Sequence, residues 1–162
     1  MASGDGNGWV DCSCGHRHWG RHGAAGLLLV RPDARRGQGF EALLQLRAAW
    51  TDQGGTWGLP GGAADSHEDA AAAALREAWE EAAVDPDAVD VLGDVVATDH
   101  GTWRYTVVVG RPIGPVRPRV ANAESDEVRW VTPDEAAALP LLGALAATWD
   151  LLVQAVRTLS AA

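Results

Sequence analysis

The sequence predicts a mixed α/β (α+β) protein in which a mixed β-sheet is packed between helices. An apolar run over 24–31 is typical of a buried strand, and an alanine-rich stretch over 68–83 has high helix propensity. The predicted elements follow the order strand, helix, strands, helix, which is typical of a sheet covered by helices. Because 162 residues suffice to bury one core, we expect a lead-in over 1–23 and a single domain over 24–162.

Two strands and a loop are predicted before the main helix. Residues 24–31 read AAGLLLVR and form the first strand. The turn-rich segment 32–40 leads into a second strand over 41–48, so the pair resembles a hairpin. The glycine-rich segment 54–62 is expected to form a tight loop.

The predicted helix over 68–83 has a start signal and a stop signal. Ser66 is a candidate N-cap, and Asp69 lies three residues later, where an acid assists capping. Pro86 follows the end of the helix, where proline prevents it from continuing. Trp79 is expected to face the sheet.

The second half of the chain is predicted to add three strands and two helices. Valine-rich segments over 89–98 and 103–109, and a shorter one over 127–131, are typical of strands. Thr132 starts a helix, because this N-cap residue is followed by proline at the first helical position and by an acid at the third. The last helix covers about 141–159, where apolar residues recur at helical spacing.

The net charge and the length of the apolar runs argue against nucleic acid and membranes as partners. A formal net charge of −9 disfavours sequence-independent binding of DNA or RNA, which requires a basic face. Apolar runs fall short of a membrane span, and the polar segment 1–8 lacks the basic and apolar regions of a signal peptide. With only two cysteines, we expect a cytoplasmic protein without structural disulfides, and neither nucleic acid nor a membrane as partner.

Three glutamates mark the candidate site. Glu77, Glu80 and Glu81 are spaced i, i+3 and i+4, which places them on one helix face with roughly 5–6 Å between Cβ atoms. Such a cluster is unfavourable unless it is solvated or binds cations, and oxygen ligands select hard cations, Mg²⁺ first and Mn²⁺ second. A solvated acidic face is the alternative. Gly61 and Gly62 favour a binding site, because glycines before a helix start present backbone groups to anions and metals.

The segment GAADSHEDAAAAALREAWEEAAV, from Gly62 to Val84, resembles the Nudix box. That box reads Gly, five residues, Glu, seven residues, Arg-Glu, an apolar residue, any residue, Glu-Glu, any residue, Gly, and an apolar residue. Ala83 departs from the pattern, which has Gly there, and this affects the turn that ends the helix. The similarity extends over about 24–140, through Leu59-Pro60-Gly61 and the segment after Glu124. The positions in register are Gly62, Glu68, Arg76, Glu77, Ala78, Glu80, Glu81 and Val84.

The resemblance implies the Nudix sandwich, an α/β/α arrangement with a mixed sheet between helices, and a role for each matching residue. Glu80 and Glu81 would be the principal metal ligands, together with the carbonyl of Gly61. Glu77 would be a further ligand or the base that activates water, and Arg76 would orient the glutamates. These side chains form the expected catalytic set, although the family takes its general base from different places and that role stays open.

A distal acid and substrate-binding residues are also expected. An acid from the distal loop often completes the metal site in this family, and Glu124 is the first candidate, with Glu127 second. The backbone N–H groups of glycines and the guanidinium of an arginine can bind a phosphate, and tryptophan can stack on a base. The substrate-binding candidates are Gly62, Trp57, Trp103 and Arg104.

The resemblance implies hydrolysis of a diphosphate linkage in a nucleoside diphosphate derivative. Some Nudix groups carry a marker residue downstream of the box, a Pro in those that act on ADP-ribose and a Tyr slightly farther on in those that act on diadenosine polyphosphates. Here Asp99 and His100 occupy that region, and Tyr105 lies too far on. The absence of both markers favours nucleoside triphosphates, including oxidised ones such as 8-oxo-dGTP. ADP-ribose, NADH and nucleotide sugars are alternatives, as is a non-catalytic regulatory domain that binds nucleotides. An isopentenyl diphosphate isomerase would need a catalytic cysteine, and Cys12 and Cys14 lie in the wrong region. A homodimer is compatible with the terminal helix and the tryptophan-rich surface.

Zinc-ligand residue types alternate near the N-terminus: Cys12, Cys14, His16 and His18. In an extended strand these side chains would share one face but spread over about 20 Å, too far for a single ion. A turn at Gly15, with His22 as a further ligand, would bring them together. A polar strand or loose terminus without metal is the alternative.

Overall fold

The strands and helices are seen in a computed structural model that describes residues 4–162. The helices are α1 (Ala70–Ala82), α2 (Pro133–Ala137) and α3 (Gly143–Ala161), and a 3-10 turn covers Pro86–Ala88. The strands are β1 (Trp9–Asp11), β2 (Arg17–Trp19), β3 (Ala24–Pro32), β4 (Phe40–Arg47), β5 (Trp57–Gly58), β6 (Gly61–Ala63), β7 (Val89–Asp99), β8 (Arg104–Pro112) and β9 (Ser125–Val131).

A seven-stranded mixed sheet forms the middle layer. Strand β3 runs parallel to β8 and antiparallel to β4 and β6. Strand β7 adds to β8 on one side, and β5 and β9 add to β4 on the other, all antiparallel. The predicted mixed sheet between helices is therefore confirmed.

The apolar strand β3 is buried on both faces, because side chains alternate across a strand. Leu27 and Leu29 belong to the cluster that contains α1, and Leu28 and Val30 belong to the cluster that contains α3. All four are at most 4% exposed. A continuous apolar run thus supplies the core on both sides of the sheet.

Helix α1 packs on the sheet through small side chains. Ala74, Ala78 and Ala82 recur every four residues and are fully buried. Because alanine side chains are small, the helix backbone lies close to the strands. Side chains beside the alanine face of the same helix therefore reach β6. This packing presents Glu77 and Glu81 to the glycines that precede the helix.

The start and the outer face of α1 differ from the predictions. Asp69 is the N-cap and accepts a hydrogen bond from the backbone N–H of Ala72 at 2.8 Å, so the prediction of Ser66 was wrong. Ser66 is instead engaged by the carboxylate of Asp5, outside the helix. Trp79 is 53% exposed, because it follows Ala78 in the helix and so lies about 100° around the axis from the face that packs on the sheet.

The predicted loop over 54–62 contains two short strands instead. Strand β6 pairs with the start of β3, where a Cβ on Gly61 would lie 2.5 Å from the carbonyl oxygen of Ala25. Glycine is therefore needed at position 61 for two backbones to meet. The capping box at Thr132 is confirmed, with Glu135 as its reciprocal partner.

Strands β1 and β2 form an antiparallel hairpin within the segment expected to be a lead-in. Trp103 Nε1 donates to the carbonyl of Trp19 at 3.3 Å, and Ser13 Oγ donates to the carbonyl of His100 at 3.0 Å. These bonds attach the hairpin to the turn between β7 and β8. Within residues 4–162, no helix has both the length and the apolar character needed to cross a bilayer.

We expect Ala83→Gly to raise the free energy of unfolding by about 0.5–1 kcal/mol. Ala83 ends α1 in the left-handed region, at φ 55° and ψ 34°, where a side chain costs roughly 1–2 kcal/mol and glycine is unstrained. Urea denaturation measures the difference between the variant and the original chain.

Ala147→Gly is the matched control, because Ala147 is exposed within α3 and has ordinary helical geometry. The same chemical change should there lower the free energy of unfolding by about 0.5–1 kcal/mol. Destabilisation by both substitutions would contradict the strain assigned to Ala83.

Candidate active site

Glu81 lies at the centre of the candidate site. The residue is 6% exposed, and its Oε2 accepts hydrogen bonds from Gln45 Nε2 at 2.8 Å and from the backbone N–H of Gly61 at 3.0 Å. The carboxylate is thus carried by α1 and held by β4 and β6. Among residues 4–162 both bonds are made to Oε2, so Oε1 keeps its capacity to bind another group.

Arg76 connects the other acids of the box. Its guanidinium donates two hydrogen bonds to Glu68 at 2.8 and 2.9 Å, one to Glu77 Oε1 at 2.9 Å and one to the carbonyl of Ala63 at 3.0 Å. Glu80 Oε2 lies 3.5 Å from Nη1. The two-pronged contact lowers the pKa of Glu68 and fixes the plane of the guanidinium. Arg76 is therefore placed to orient Glu77.

Glu77 packs directly against Gly62. A Cβ at position 62 would lie 2.7 Å from Glu77 Cδ, so a larger residue would displace the carboxylate. Burial raises the pKa of Glu77, Arg76 opposes this, and the charges of Glu80 and Glu124 raise the pKa further. The site therefore holds more negative charge than its arginine neutralises.

The two candidates for the distal acid differ in their surroundings. The charge of Glu124 raises the pKa of both Glu77 and Glu81, which places it within electrostatic reach of the box. Glu127 forms an ion pair with Arg129 at 2.9 Å. These surroundings support Glu124 as the first candidate.

Burial raises the pKa of Glu81 to about 8, with Glu77 and Glu124 adding to the rise and the bonds from Gln45 and Gly61 opposing it. The ordinary value is 4.5, so between these values the folded state binds more protons than the unfolded state. The contribution of Glu81 to stability is then present below about pH 4.5 and is lost as pH rises toward about 8. Without a cation, the ionised Glu81 destabilises the fold.

The donor atoms of the site suit a hard divalent cation by their chemistry. Among residues 4–162 the ligand atoms that lie within 4.8 Å of one another in groups of three are those of Cys12, Cys14 and His18 and of Asp65, His67 and Glu68, so the box carboxylates would have to move closer together around an ion. The carboxylates of Glu77, Glu80, Glu81 and Glu124 supply oxygen donors, which suit Mg²⁺ or Mn²⁺. In the part of the chain that the structure describes, Gln45 Oε1 is buried without a hydrogen-bond partner. An unpaired acceptor beside clustered carboxylates is costly unless a cation or its water molecules compensate it.

A pocket of about 410 Å³ reaches the two glycines that Glu81 and Glu77 contact. Gly61 and Gly62 contribute to its lining, and the pocket is within the size range of sites for small molecules, roughly 300–1,000 Å³. A flat base can stack on an aromatic wall such as the one found here. The aromatic residues of the lining are Trp9, His18, Trp19, His100, Trp103 and Tyr105.

The four expected substrate-binding residues divide into two groups. Gly62 and Trp103 line the pocket, whereas Trp57 and Arg104 are not in its lining. Trp57 is 4% exposed and belongs to the core around α3, and its stacking on a base stays a prediction. Arg104 forms an exposed ion pair with Asp99 at 3.1 Å at the end of β8, and its role as a phosphate ligand stays a prediction.

Three residues of the site were not identified from the sequence. Gln45 carried a signal, because a glutamine inside the apolar run ALLQL must find a partner when buried. Tyr105 lines the pocket, and burial raises its pKa, with the charge of Glu81 contributing. Arg47 also lines the pocket. In the sequence, nothing distinguishes Tyr105 or Arg47 from other strand residues.

A protein family and a solved structure match most of this chain. A family model described as NUDIX domain matches residues 20–149. The crystal structure of a Nudix hydrolase from M. smegmatis, RenU, matches with a TM-score of 0.86 at 45% identity, over 94% of this chain and 96% of that chain. A Mycobacterium tuberculosis (strain H37Rv) protein named "Putative 8-oxo-dGTP diphosphatase 3" is 48% identical over 161 residues, which cover 96% of this chain and 72% of that protein.

A longer relative contains a similar segment. The "Nucleoside triphosphate pyrophosphatase/Nudix hydrolase fusion protein" of Bifidobacterium longum is 44% identical over 146 residues, which cover 89% of this chain. The match spans only 30% of that protein's own length. The family match over 20–149, the box carried on α1 and the sandwich around it together show that this chain belongs to the Nudix hydrolase family.

Proposed function

We propose that the chain is a Mg²⁺-dependent hydrolase of a diphosphate linkage in a nucleoside diphosphate derivative, with an oxidised nucleoside triphosphate such as 8-oxo-dGTP as the first candidate substrate. The observation that carries this proposal is that buried Glu81 bonds to Gly61 and Glu77 packs against Gly62, because both glycines line a pocket with an aromatic wall. The name of the M. tuberculosis relative, at 48% identity, supports the substrate class.

Mg²⁺ would be held by Glu77, Glu80, Glu81, Glu124 and the carbonyl of Gly61, with Mn²⁺ as a substitute. When bound, the ion would supply positive charge to neutralise the phosphates and polarise the bond that breaks. The oxygen donors of the site and its unpaired buried acceptor support this assignment.

The chain's own residues would prepare the site for this reaction. Gln45 and the Gly61 N–H hold Glu81 in one orientation, and Arg76 does the same for Glu77. Such positioning saves the cost of ordering the carboxylates during the reaction. The aromatic wall would hold the base so that the phosphates extend toward the glutamates.

Hydrolysis forms a bond from the oxygen of water to phosphorus and breaks the bond from that phosphorus to the leaving phosphate. The proton of water passes to a base. Glu77 is one candidate, because Arg76 engages its Oε1 and burial raises its pKa.

ADP-ribose, NADH and nucleotide sugars are the alternative substrates, and a regulatory domain that binds nucleotides is the alternative class. The box glutamates favour an enzyme, since ligand binding alone does not require such a concentration of carboxylates beside the phosphate site.

We expect Mg²⁺-dependent turnover in a panel of 8-oxo-dGTP, unmodified deoxynucleoside triphosphates, ADP-ribose, NADH and a nucleotide sugar, with the highest kcat/KM for the oxidised triphosphate. Glu81→Gln should lower kcat by about 100-fold or more, because a neutral amide would hold the cation more weakly than a carboxylate, and the cation would supply the positive charge that stabilises the transition state. Release of phosphate or pyrophosphate measures both effects.

Circular dichroism of Glu81→Gln verifies that the variant is folded. An absence of turnover on every compound, by folded protein that binds Mg²⁺, would contradict the hydrolase. A preference for ADP-ribose would retain the hydrolase and contradict the first candidate substrate.

Glu124→Gln and Glu127→Gln form a matched pair of substitutions. We expect about a tenfold or greater loss of kcat for Glu124→Gln, because the charge of Glu124 reaches the box, and almost none for Glu127→Gln, because Glu127 pairs with Arg129. Steady-state kinetics at several Mg²⁺ concentrations tests this. The reverse ranking would assign the distal acid to Glu127.

A further inference from the structure

A second group of metal-ligand atoms lies at the tip of the N-terminal hairpin, apart from the glutamates. Single ligand atoms of Cys12, Cys14 and His18 all lie within 4.8 Å of one another. Cys14 Sγ is 3.1 Å from His18 Nε2. The sequence alone indicated that an extended strand would spread these side chains too far apart, and the hairpin removes that obstacle.

A tight turn produces the cluster. The backbone N–H of Cys12 donates to the carbonyl of His16 at 3.0 Å, and that of Gly15 donates to the carbonyl of Cys12 at 3.0 Å. Gly15 has φ +88°, a left-handed conformation that favours glycine. The chain therefore reverses between Cys14 and β2, which returns His18 to the two sulfur atoms.

The spacing is close to that of a zinc site. Zinc bonds of about 2.3 Å to sulfur and 2.0–2.1 Å to nitrogen place tetrahedral ligand atoms roughly 3.5–3.8 Å apart. The three atoms of the hairpin need only small side-chain adjustments to reach these separations. Two thiolates and an imidazole also select zinc over Mg²⁺, which prefers oxygen.

We propose that Cys12, Cys14 and His18 bind a zinc ion that closes the tip of the hairpin, with the fourth coordination position open to solvent. His16 and His22 lie outside the described cluster. The ion would link Cys12, just after β1, to His18 within β2 and so join the two strands of the hairpin.

Neighbouring groups hold the side chains of Cys12 and His18 in position. The backbone N–H of Cys14 donates to Cys12 Sγ at 3.4 Å, and Thr102 Oγ1 lies 3.8 Å from the same sulfur as a donor. The His18 ring stacks on Trp103, with centroids 4.3 Å apart and 14° between the planes, which fixes the direction of Nε2. Hydrogen bonds to ligands and packing of their rings are the usual supports of a metal site.

The protonation states are also favourable. Partial burial opposes ionisation of Cys12, but the hydrogen bonds to its sulfur lower the pKa of the thiol below its usual value. Burial and the nearby histidines lower the pKa of His18, which keeps the imidazole neutral at neutral pH. Zinc binds thiolate and neutral imidazole.

A zinc ion here would have a consequence for the pocket. Trp9, Arg17, His18 and Trp19 of the hairpin all line it. Because a hairpin of two three-residue strands is marginally stable alone, a metal at its tip would keep this wall of the pocket ordered.

The test measures metal content and spectra of the full-length chain, purified under reducing conditions with zinc supplied. We expect one zinc ion per chain after gel filtration, and a thiolate-to-cobalt charge-transfer band in the near ultraviolet when Co²⁺ replaces zinc. Cys14→Ser and His18→Asn should each lose the stoichiometric zinc and weaken or shift the band. Circular dichroism verifies folding, and two variants at different positions guard against one that misfolds.

Two controls separate this site from the others. His22→Asn changes a histidine outside the hairpin, near Asp5, and should retain the zinc. Glu81→Gln removes a carboxylate from the box and should also retain the zinc and the cobalt band. Wild-type protein with well under one zinc per chain and no thiolate–cobalt band would overturn the proposal, as would an unchanged band in Cys14→Ser. A disulfide between Cys12 and Cys14 that persists under reducing conditions would overturn it as well.

Discussion

The candidate site depends on one buried ionisable group, the carboxyl of Glu81. It is carried by an alanine-faced helix, held by Gln45 and the N–H of Gly61, and surrounded by other acids. Burial of a carboxylate is costly without compensation. The hydrogen bonds from Gln45 and Gly61 offset the repulsion from Glu77 and Glu124, but the larger cost of burial remains. The fold therefore maintains an arrangement that only a cation, or a proton, makes favourable. Close packing of α1 on the sheet and the glycines of β6 are the features that keep it in place.

Much of the fold was predictable, because its signals are local. The apolar run of β3, the alanines of α1 and the capping box at Thr132 act through neighbours in sequence. Features that depend on distant contacts were missed. Asp5 engages Ser66 outside the helix, whose N-cap is Asp69, and α1 packs on the sheet through its alanines with Trp79 left in solvent. The box glutamates could be placed on one helix face from their spacing, whereas Gln45, Tyr105 and the burial of Trp57 follow from how separate strands meet.

Two kinds of metal chemistry lie on either side of one pocket in our proposals. The glutamates of α1 offer hard oxygen ligands beside the expected position of the phosphates, and the hairpin tip offers soft sulfur and nitrogen ligands behind the expected position of the base. Because the ligand types differ, each ion has a preferred site. His18 contacts Cys14 and stacks on Trp103, so the hairpin cluster is joined to the aromatic wall of the pocket.

The most direct test of the cost assigned to Glu81 is thermal unfolding of wild type and Glu81→Gln at about pH 8.5, with a chelator and with Mg²⁺. In chelator, we expect Glu81→Gln to unfold at a higher temperature, by roughly 3–10 °C for about 1–3 kcal/mol, because the amide avoids a buried charge and can donate to Gln45 Oε1. Mg²⁺ should stabilise wild type and have little effect on the variant. A variant that is less stable than wild type in chelator, or an equal gain from Mg²⁺ in both proteins, would contradict the account.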